Sequence, residues 1–154
     1  MKNDSIEIIQ INISGEDKPG LTSSLTGILA RHDAFILDIG QSNIHQSLTL
    51  GILFMTTSER SGQIMKELLF KASEMNIQIR FTPIDEEEYN RWVTGQGKNR
   101  YIITLIGRQI TAEHISRVTQ AICDEGLNID DINRLTGRMP LDHNERAPKT
   151  SIEF

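Results

Sequence analysis

Ile9, Ile11 and Ile13 alternate with Gln10, Asn12 and Ser14; then the apolar period changes, and Leu21, Leu25, Ile28 and Leu29 recur at i, i+4, i+7, i+8. The first spacing belongs to a half-buried strand, the second to a helix with one apolar stripe. Between them lies Gly15-Glu16-Asp17-Lys18-Pro19-Gly20, a polar, turn-prone loop. A strand and a helix joined this closely must bury their apolar sides against each other, and that requirement organises the rest of the chain.

The loop also carries chemistry. Pro19 fixes its own φ near the helical value and has no N–H, so it suits a first helical turn. Gly20 lets another backbone or a ligand approach closely. The N–H groups of the first turn have no partners inside the helix and form a small positive concavity suited to a carboxylate. An ordinary strand–helix turn capped by Asp17 explains the same residues, and the loop alone does not separate the two readings.

The first strand is expected over 5–14 and the helix over Leu21–Arg31, ended by His32-Asp33. A second strand follows over Ala34–Ile44, with Phe35, Leu37 and Ile39 on one face. His45-Gln46 turns the chain into a third strand marked by Leu48, Leu50, Ile52 and Phe54, running to Thr57. Ser58-Glu59-Arg60-Ser61-Gly62 reads as punctuation. A second helix over 61–75 carries Ile64, Met65, Leu68, Leu69, Ala72 and Met75. Ile77, Ile79 and Phe81 form a fourth strand closed by Pro83. Two striped helices and four strands with one face to offer make a two-layer α+β sandwich of ferredoxin-like βαββαβ order.

Residues 84–98 break the pattern. Asp85-Glu86-Glu87-Glu88, followed by Tyr89 and Trp92, predicts a short acidic-capped helix, and Gly95-Gln96-Gly97-Lys98 a tether. The pattern then restarts, as an internal repeat should. Tyr101, Ile103 and Leu105 alternate in a strand ending at Gly107, the counterpart of Gly15. Ile115, Val118 and Ile122 stripe a helix over Ala112–Glu125. Leu127-Asn128-Ile129-Asp130-Asp131-Ile132 opens the next strand and aligns, 93 positions on, with Ala34-Phe35-Ile36-Leu37-Asp38-Ile39. Thr150–Phe154 is a third strand. The expected division is 1–83, a linker at 84–98, and a second, partial repeat at 99–154.

Asp17-Lys18-Pro19-Gly20, the striped helix and Ala34–Ile39 together resemble the ACT domain, a small ferredoxin-like module that binds amino acids, usually between two copies. The resemblance covers 6–83 in full and 100–154 in part. Two such repeats with an acidic Tyr/Trp linker, and the segments Arg80–Ile84 and Gly97–Leu105, are similar to the N-terminal region of bacterial phosphoserine phosphatases. That resemblance implies a haloacid-dehalogenase-type catalytic domain holding Mg²⁺ in the parent enzyme. Its Asp-x-Asp-x-Thr motif does not occur here, and Asp130-Asp131 is adjacent, not spaced. The expectation is a regulatory region without its own catalytic site, metal or other cofactor. The stop after Phe154, before a second helix and fourth strand of the repeat, reads as truncation.

The resemblance also implies a site. ACT domains often carry an Asn at the start of the second strand that hydrogen-bonds a bound amino acid. The second repeat has Asn128 there and the first has Phe35. Conversely, the Pro-Gly loop is intact in the first repeat and replaced by Ala112-Glu113 in the second, with Gln109 and Ile110 nearby. In side-by-side pairs one copy's loop faces the other's second strand. Asp17, Lys18, Pro19, Gly20 and Leu21 with Asn128 would then form one complete site, and Gly107–Ala112 with Phe35 a degraded one. A buried Asn128 amide can donate and accept, which suits a zwitterion. Asn is also favoured at helix exits, which explains Asn128 without a ligand.

Other chemistry is thin. His32, His45, His114 and His143 lack ligand spacing. Ser23 and Ser24 lack an Asp/His constellation and read as helix-start residues. Gly95-x-Gly97 lacks a dinucleotide loop's third glycine. Cys123, the single cysteine, excludes an internal disulfide and reads as packing beside Ile122. Net charge is −5, against a nucleic-acid or anionic-membrane partner. No apolar run approaches the ~20 residues of a membrane span, and Met1–Ser5 has no signal-peptide core.

The function expected is sensing of a small amino acid, L-serine by family implication, in the cytoplasm and in a homodimer. The alternatives are a free-standing ACT regulator, the leader of another enzyme such as a formyltetrahydrofolate deformylase, and an RNA-recognition fold. The last needs exposed aromatics and a basic sheet, which 5% aromatics and an acidic balance do not supply.

Overall fold

The computed structural model describes residues 5–97, 99–138 and 149–154. Expectations placed on Met1–Asp4, Lys98 and His143 lie outside them. The chain forms two compact units, Met1–Gly97 and Lys98–Phe154.

The first unit runs β1 (Ile6–Glu16), α1 (Leu21–Arg31), β2 (Phe35–Ile44), β3 (Ser47–Thr57), α2 (Ser58–Met75), β4 (Gln78–Ile84) and α3 (Glu86–Gly95). Its sheet has the order β2-β3-β1-β4, every neighbour antiparallel. This is the ferredoxin-like arrangement the element order predicts. Ile9, Ile11 and Ile13 lie opposite Phe54, Ile52 and Leu50, so the alternating residues of β1 and β3 share one face. That face meets Leu21, Leu25, Ile28 and Leu29 of α1 and Ile64, Leu68 and Ala72 of α2 in one core. Each such Leu or Ile contributes about 1.5–3 kcal/mol by leaving water.

Three details depart from the expected pattern. A bulge between Ile36 and Asp38 shifts the register of β2. Phe35 lies opposite Met55, on the sheet face away from α1 and α2, whereas Ile39 lies opposite Ile52 on the core face. Phe35, Leu37 and Ile39 therefore do not share a face; the extra residue reverses the alternation. Second, Ser58–Arg60 is not punctuation but the first turn of α2, entered from Thr57 with Glu59 placed favourably at the positive end. Third, Leu69 is 52% exposed, and Ser61 joins the buried stripe of α2 instead. Pro83 lies within β4, where an outer strand tolerates its missing N–H.

The end of α1 is tied to the middle of α2 by Glu67. Its carboxylate accepts from Gln63 at 3.1 Å, contacts the His32 ring at 2.9 Å and pairs with Arg31 at 3.0 Å. The Gln63 amide, then His32 and Arg31, pull its pKa from the ordinary 4.5 to about 2.

α3 starts as expected. Asp85 is its N-cap and accepts the Glu88 N–H at 2.7 Å. Tyr89 and Trp92 contact each other on it, ring centroids 5.9 Å apart.

The second unit runs β5 (Thr104–Gly107), α4 (Ala112–Asp124), β6 (Asn133–Arg134) and β7 (Thr150–Glu153), with sheet order β5-β7-β6. β5 and β6 each pair antiparallel with β7, just as β1 and β2 pair with β3. The repeat is thus visible in topology as well as in sequence. Ile103 extends the pairing through two backbone bonds with Phe154. Leu127–Ile132 does not open a strand; pairing begins at Asn133. Cys123 is exposed, not packed, because the buried position of α4 belongs to Ile122.

Candidate functional site

The β1–α1 loop is built by one tight turn. The Leu21 N–H donates to the Lys18 carbonyl at 3.2 Å, and Gly20 sits at φ 81, ψ 1. That is a type II turn with Pro19 at its second position and the obligatory positive-φ residue at its third. Pro19 therefore precedes the helix instead of opening it, and Gly20 is the N-cap. A Cβ on Gly20 would meet nothing within 4 Å, so this glycine answers to dihedral geometry and not to close approach. The close-approach glycine is Gly15, where a Cβ would lie 2.8 Å from Ile77 Cγ2.

Because Gly20 has no side chain, no side-chain cap closes the start of α1. Ser24 N–H donates to the Gly20 carbonyl at 2.9 Å, and Leu21 N–H is used by the turn. Among the described residues no acceptor takes the N–H of Thr22 or Ser23. These two N–H groups are open to an anion, as is that of Gly20, whereas the Leu21 N–H is not. Leu21 is a core residue, 1% exposed.

The other loop residues are engaged as follows. Asp17 donates its N–H to the Gln46 carbonyl at 2.8 Å, and its carboxylate accepts from the Asn43 side-chain amide. It does not cap α1. The Lys18 ammonium donates to the carbonyl of Met75, the last residue of α2, at 3.1 Å, a common way to satisfy a helix C-terminus. Thr22 donates its hydroxyl to Gln41 Oε1 at 2.7 Å. The loop thus closes over the distal half of β2, whose Gln41 and Asn43 lie opposite the core residues Leu50 and Leu48. Gln41, Asn43 and Thr22 are absent from the sequence-derived site. The available signal was polar residues at strand positions whose neighbours point into the core.

The second unit solves the same join differently. Thr111 and Lys18 are 93 positions apart, yet Thr111 is an N-cap: its hydroxyl accepts the His114 N–H at 3.3 Å, and the His114 ring accepts the Thr111 N–H at 3.1 Å. Ala112 and Glu113, at the positions of Pro19 and Gly20, are helical. The start of α4 therefore carries a side-chain cap on its His114 N–H, whereas that of α1 carries none. At the other end the two helices agree. Ala34 N–H donates to the Leu29 carbonyl at 3.0 Å, and Leu127 N–H to the Ile122 carbonyl at 3.2 Å, the same pair displaced by 93. Asp33 and Gly126 take the positive-φ position in each exit. Asn128 lies two residues past Gly126, so it does not serve the helix exit. Its side chain is exposed, not buried as the sequence reading supposed.

Residues 7–82 match a model of the ACT domain, and residues 100–141 match a second ACT-domain model. The chain belongs to the ACT-domain family. It is a tandem ACT region related to phosphoserine phosphatases. A phosphoserine phosphatase of Mycobacterium tuberculosis is 28% identical over 130 residues, which cover 83% of this chain and 31% of that protein. A phosphoserine phosphatase of Streptomyces coelicolor is 27% identical over 151 residues, 97% of this chain and 33% of that protein. The chain spans about a third of the length of these curated relatives. Among solved structures, an unknown protein from Galdieria sulphuraria superposes with TM-score 0.68 at 13% identity, covering 97% of this chain and 79% of its own. A structure described as a candidate glycine cleavage system transcriptional repressor does so with TM-score 0.61 at 10% identity, covering 96% and 78%. At these identities the likeness shows the fold.

Among the described residues of the two ACT repeats, no group of three His, Cys, Asp or Glu side chains is placed to hold a metal ion. His32 contacts Glu67 and His114 caps α4. No helix among those residues is long and apolar enough to cross a membrane.

Proposed function

We propose that this tandem ACT region binds a small amino acid and regulates a phosphatase activity carried elsewhere, with L-serine as the ligand. The observation that carries the reading is the asymmetry of the two helix starts. ACT domains are regulatory amino-acid-binding modules in general, and of the two corresponding helix starts that of α1 carries no side-chain cap whereas Thr111 caps that of α4. The ligand carboxylate is assigned to Thr22 and Ser23 N–H, and its ammonium to Asp17. Pro19, Gly20 and Leu21 fix that geometry, and Lys18 supports it from the end of α2. Asn128, from the second repeat of the same chain or of a second copy in a cytoplasmic homodimer, supplies the amide to the ligand's remaining polar groups. L-serine is favoured because both curated relatives are phosphoserine phosphatases, for which serine is the organic product.

Isothermal titration of the chain with L-serine, D-serine, glycine and L-alanine tests this. Saturable binding of L-serine, weaker for its enantiomer, supports the reading. No heat from any of the four ends it.

A further inference from the structure

A cavity lies on the opposite side of the first repeat's sheet from its core. Register places Gly40 of β2 directly across from Gly51 of β3, on the sheet face away from α1 and α2. Two facing glycines leave a bare patch of backbone between strands whose other residues carry side chains. A Cβ on Gly40 would meet nothing within 4 Å, and one on Gly51 only Asn12 Oδ1 at 3.8 Å. Neither glycine has positive φ, so neither is there to permit a turn. Over this patch runs α3, and its Tyr89 and Trp92 wall a cavity of about 360 Å³ that Leu53 helps to line. That volume suits a small ligand.

The charge of the lining is one-sided. Asp38 and Glu88 both border the cavity, and among the described residues neither is paired with a cation. One Asp38 oxygen accepts the Ile39 N–H at 2.9 Å, which holds the carboxylate at the strand. An apolar aromatic wall, a flat floor and two carboxylates fit one class of molecule. We propose that this cavity binds a small organic cation with a flat apolar body. The body lies on the Gly40–Gly51 floor under Trp92, and the charged nitrogen lies toward Asp38 and Glu88. Attraction to the ring face of Trp92 adds to that of the carboxylates. The site uses none of the residues assigned to the amino acid.

Trp92 is the single tryptophan of the chain, so its emission reports on the cavity directly. The test titrates three probes of one ring size, benzylamine, benzyl alcohol and benzoate, at neutral pH. Benzylamine is expected to change the emission saturably, benzyl alcohol to bind at least about tenfold more weakly and benzoate not to bind. Asp38→Asn weakens benzylamine roughly tenfold by removing one charge. Gly40→Ala and Gly51→Ala each raise the floor by a methyl group and lower affinity at least about tenfold, with circular dichroism and thermal unfolding unchanged. If Gly51→Ala disturbs the central strand, Gly40→Ala on the outer strand remains the reading. Equal binding of the amine and the alcohol overturns the proposal. So does an absent or unsaturable response to benzylamine, or Gly40→Ala binding it as tightly as the parent chain.

Discussion

Asn43 donates its side-chain amide to the carboxylate of Asp17, 26 positions earlier. With the Thr22–Gln41 bond beside it, this closes the β1–α1 loop against the outer strand of the sheet. A ligand ammonium at Asp17 must share that carboxylate with Asn43. Asn43→Ala is expected to lower stability by about 0.5–1.5 kcal/mol, the worth of one hydrogen bond. The shift of the urea midpoint at unchanged m-value measures it. A loss well above that range would mean that Asn43 supports the hairpin more broadly.

Gly15 and Gly20 flank the same loop for different reasons, and alanine should separate them. Gly20→Ala places a side chain at φ 81 with nothing to strike, and should cost about 1–2 kcal/mol. Gly15→Ala drives a methyl to 2.8 Å from Ile77 Cγ2, and should cost about 1–3 kcal/mol by overpacking. In an Ile77→Ala background the second cost should fall without vanishing, because Ile77 Cβ at 3.2 Å and Cα at 3.3 Å remain, and the first should persist. Thermal unfolding of the double-mutant cycles reads this directly.

The contrast between those glycines shows what the sequence made legible. Ile9, Ile11 and Ile13 announced β1 because one face of the sheet is buried and the other is not. The striped helices followed from the same cause. The bulge at Leu37 left no trace, because Phe35-Ile36-Leu37 is apolar throughout and a phase change inside an apolar run is silent. Ser58-Glu59-Arg60 has the composition of a loop, but also of a helix start, and Thr57 at the N-cap makes no side-chain bond that would mark the helix locally. Within the site, Asp17–Leu21 stood out by residue type. Gln41 and Asn43 did not, since their role depends on the hairpin folding back onto the loop. Asn128 was found by its displacement of 93 from Phe35, while its exposure could not be read from a neighbourhood of Leu127 and Ile129.

Acid should expose the Glu67 cluster. The carboxyl is held at about 2 in the folded chain against 4.5 ordinarily, by Gln63 first and then His32 and Arg31. A group whose folded pKa is lowered adds stability in full above the unfolded value and loses it as pH falls through the folded one. Glu67 therefore stabilises the α1–α2 contact at neutral pH and ceases to do so between about pH 4.5 and 2. Glu67→Gln is expected to be less stable than the parent chain at pH 7 and equal to it near pH 2. A constant difference across that range would show that the substitution acts by packing and not by charge.

The chain is expected to release no phosphate from phosphoserine, with or without Mg²⁺. Phosphoryl transfer to an enzyme carboxylate needs a spaced pair of aspartates, and neither Asp130-Asp131 nor any other pair here is part of an Asp-x-Asp-x-Thr motif. A colorimetric phosphate assay on the purified chain decides. Mg²⁺-dependent release above a buffer blank would require a catalytic centre unlike that of the family.

The proposed amino-acid site makes the most demanding prediction, because the proposal draws its two halves from different repeats. Asp17 is exposed and already accepts from Asn43, so Asp17→Asn removes the charge that would hold an ammonium while keeping a side chain of the same shape. Asn128 is exposed in the chain, so ligand binding and not folding would bury its amide. Asn128→Ala should then leave stability alone and leave a ligand group unpaired, costing about 1–3 kcal/mol, or roughly 5- to 150-fold in affinity. Asp17→Asn should weaken binding over a similar range. Phe35 lies opposite Met55 and is 62% exposed; the sequence pattern assigns it to the degraded site, whose helix start is capped by Thr111. Phe35→Ala should therefore bind L-serine as the parent chain does. The measurement is calorimetric titration of the four proteins, with thermal unfolding run alongside. If Asn128→Ala is silent and Phe35→Ala abolishes binding, the ligand sits at the start of α4 instead, and Thr111 must release its cap to admit it.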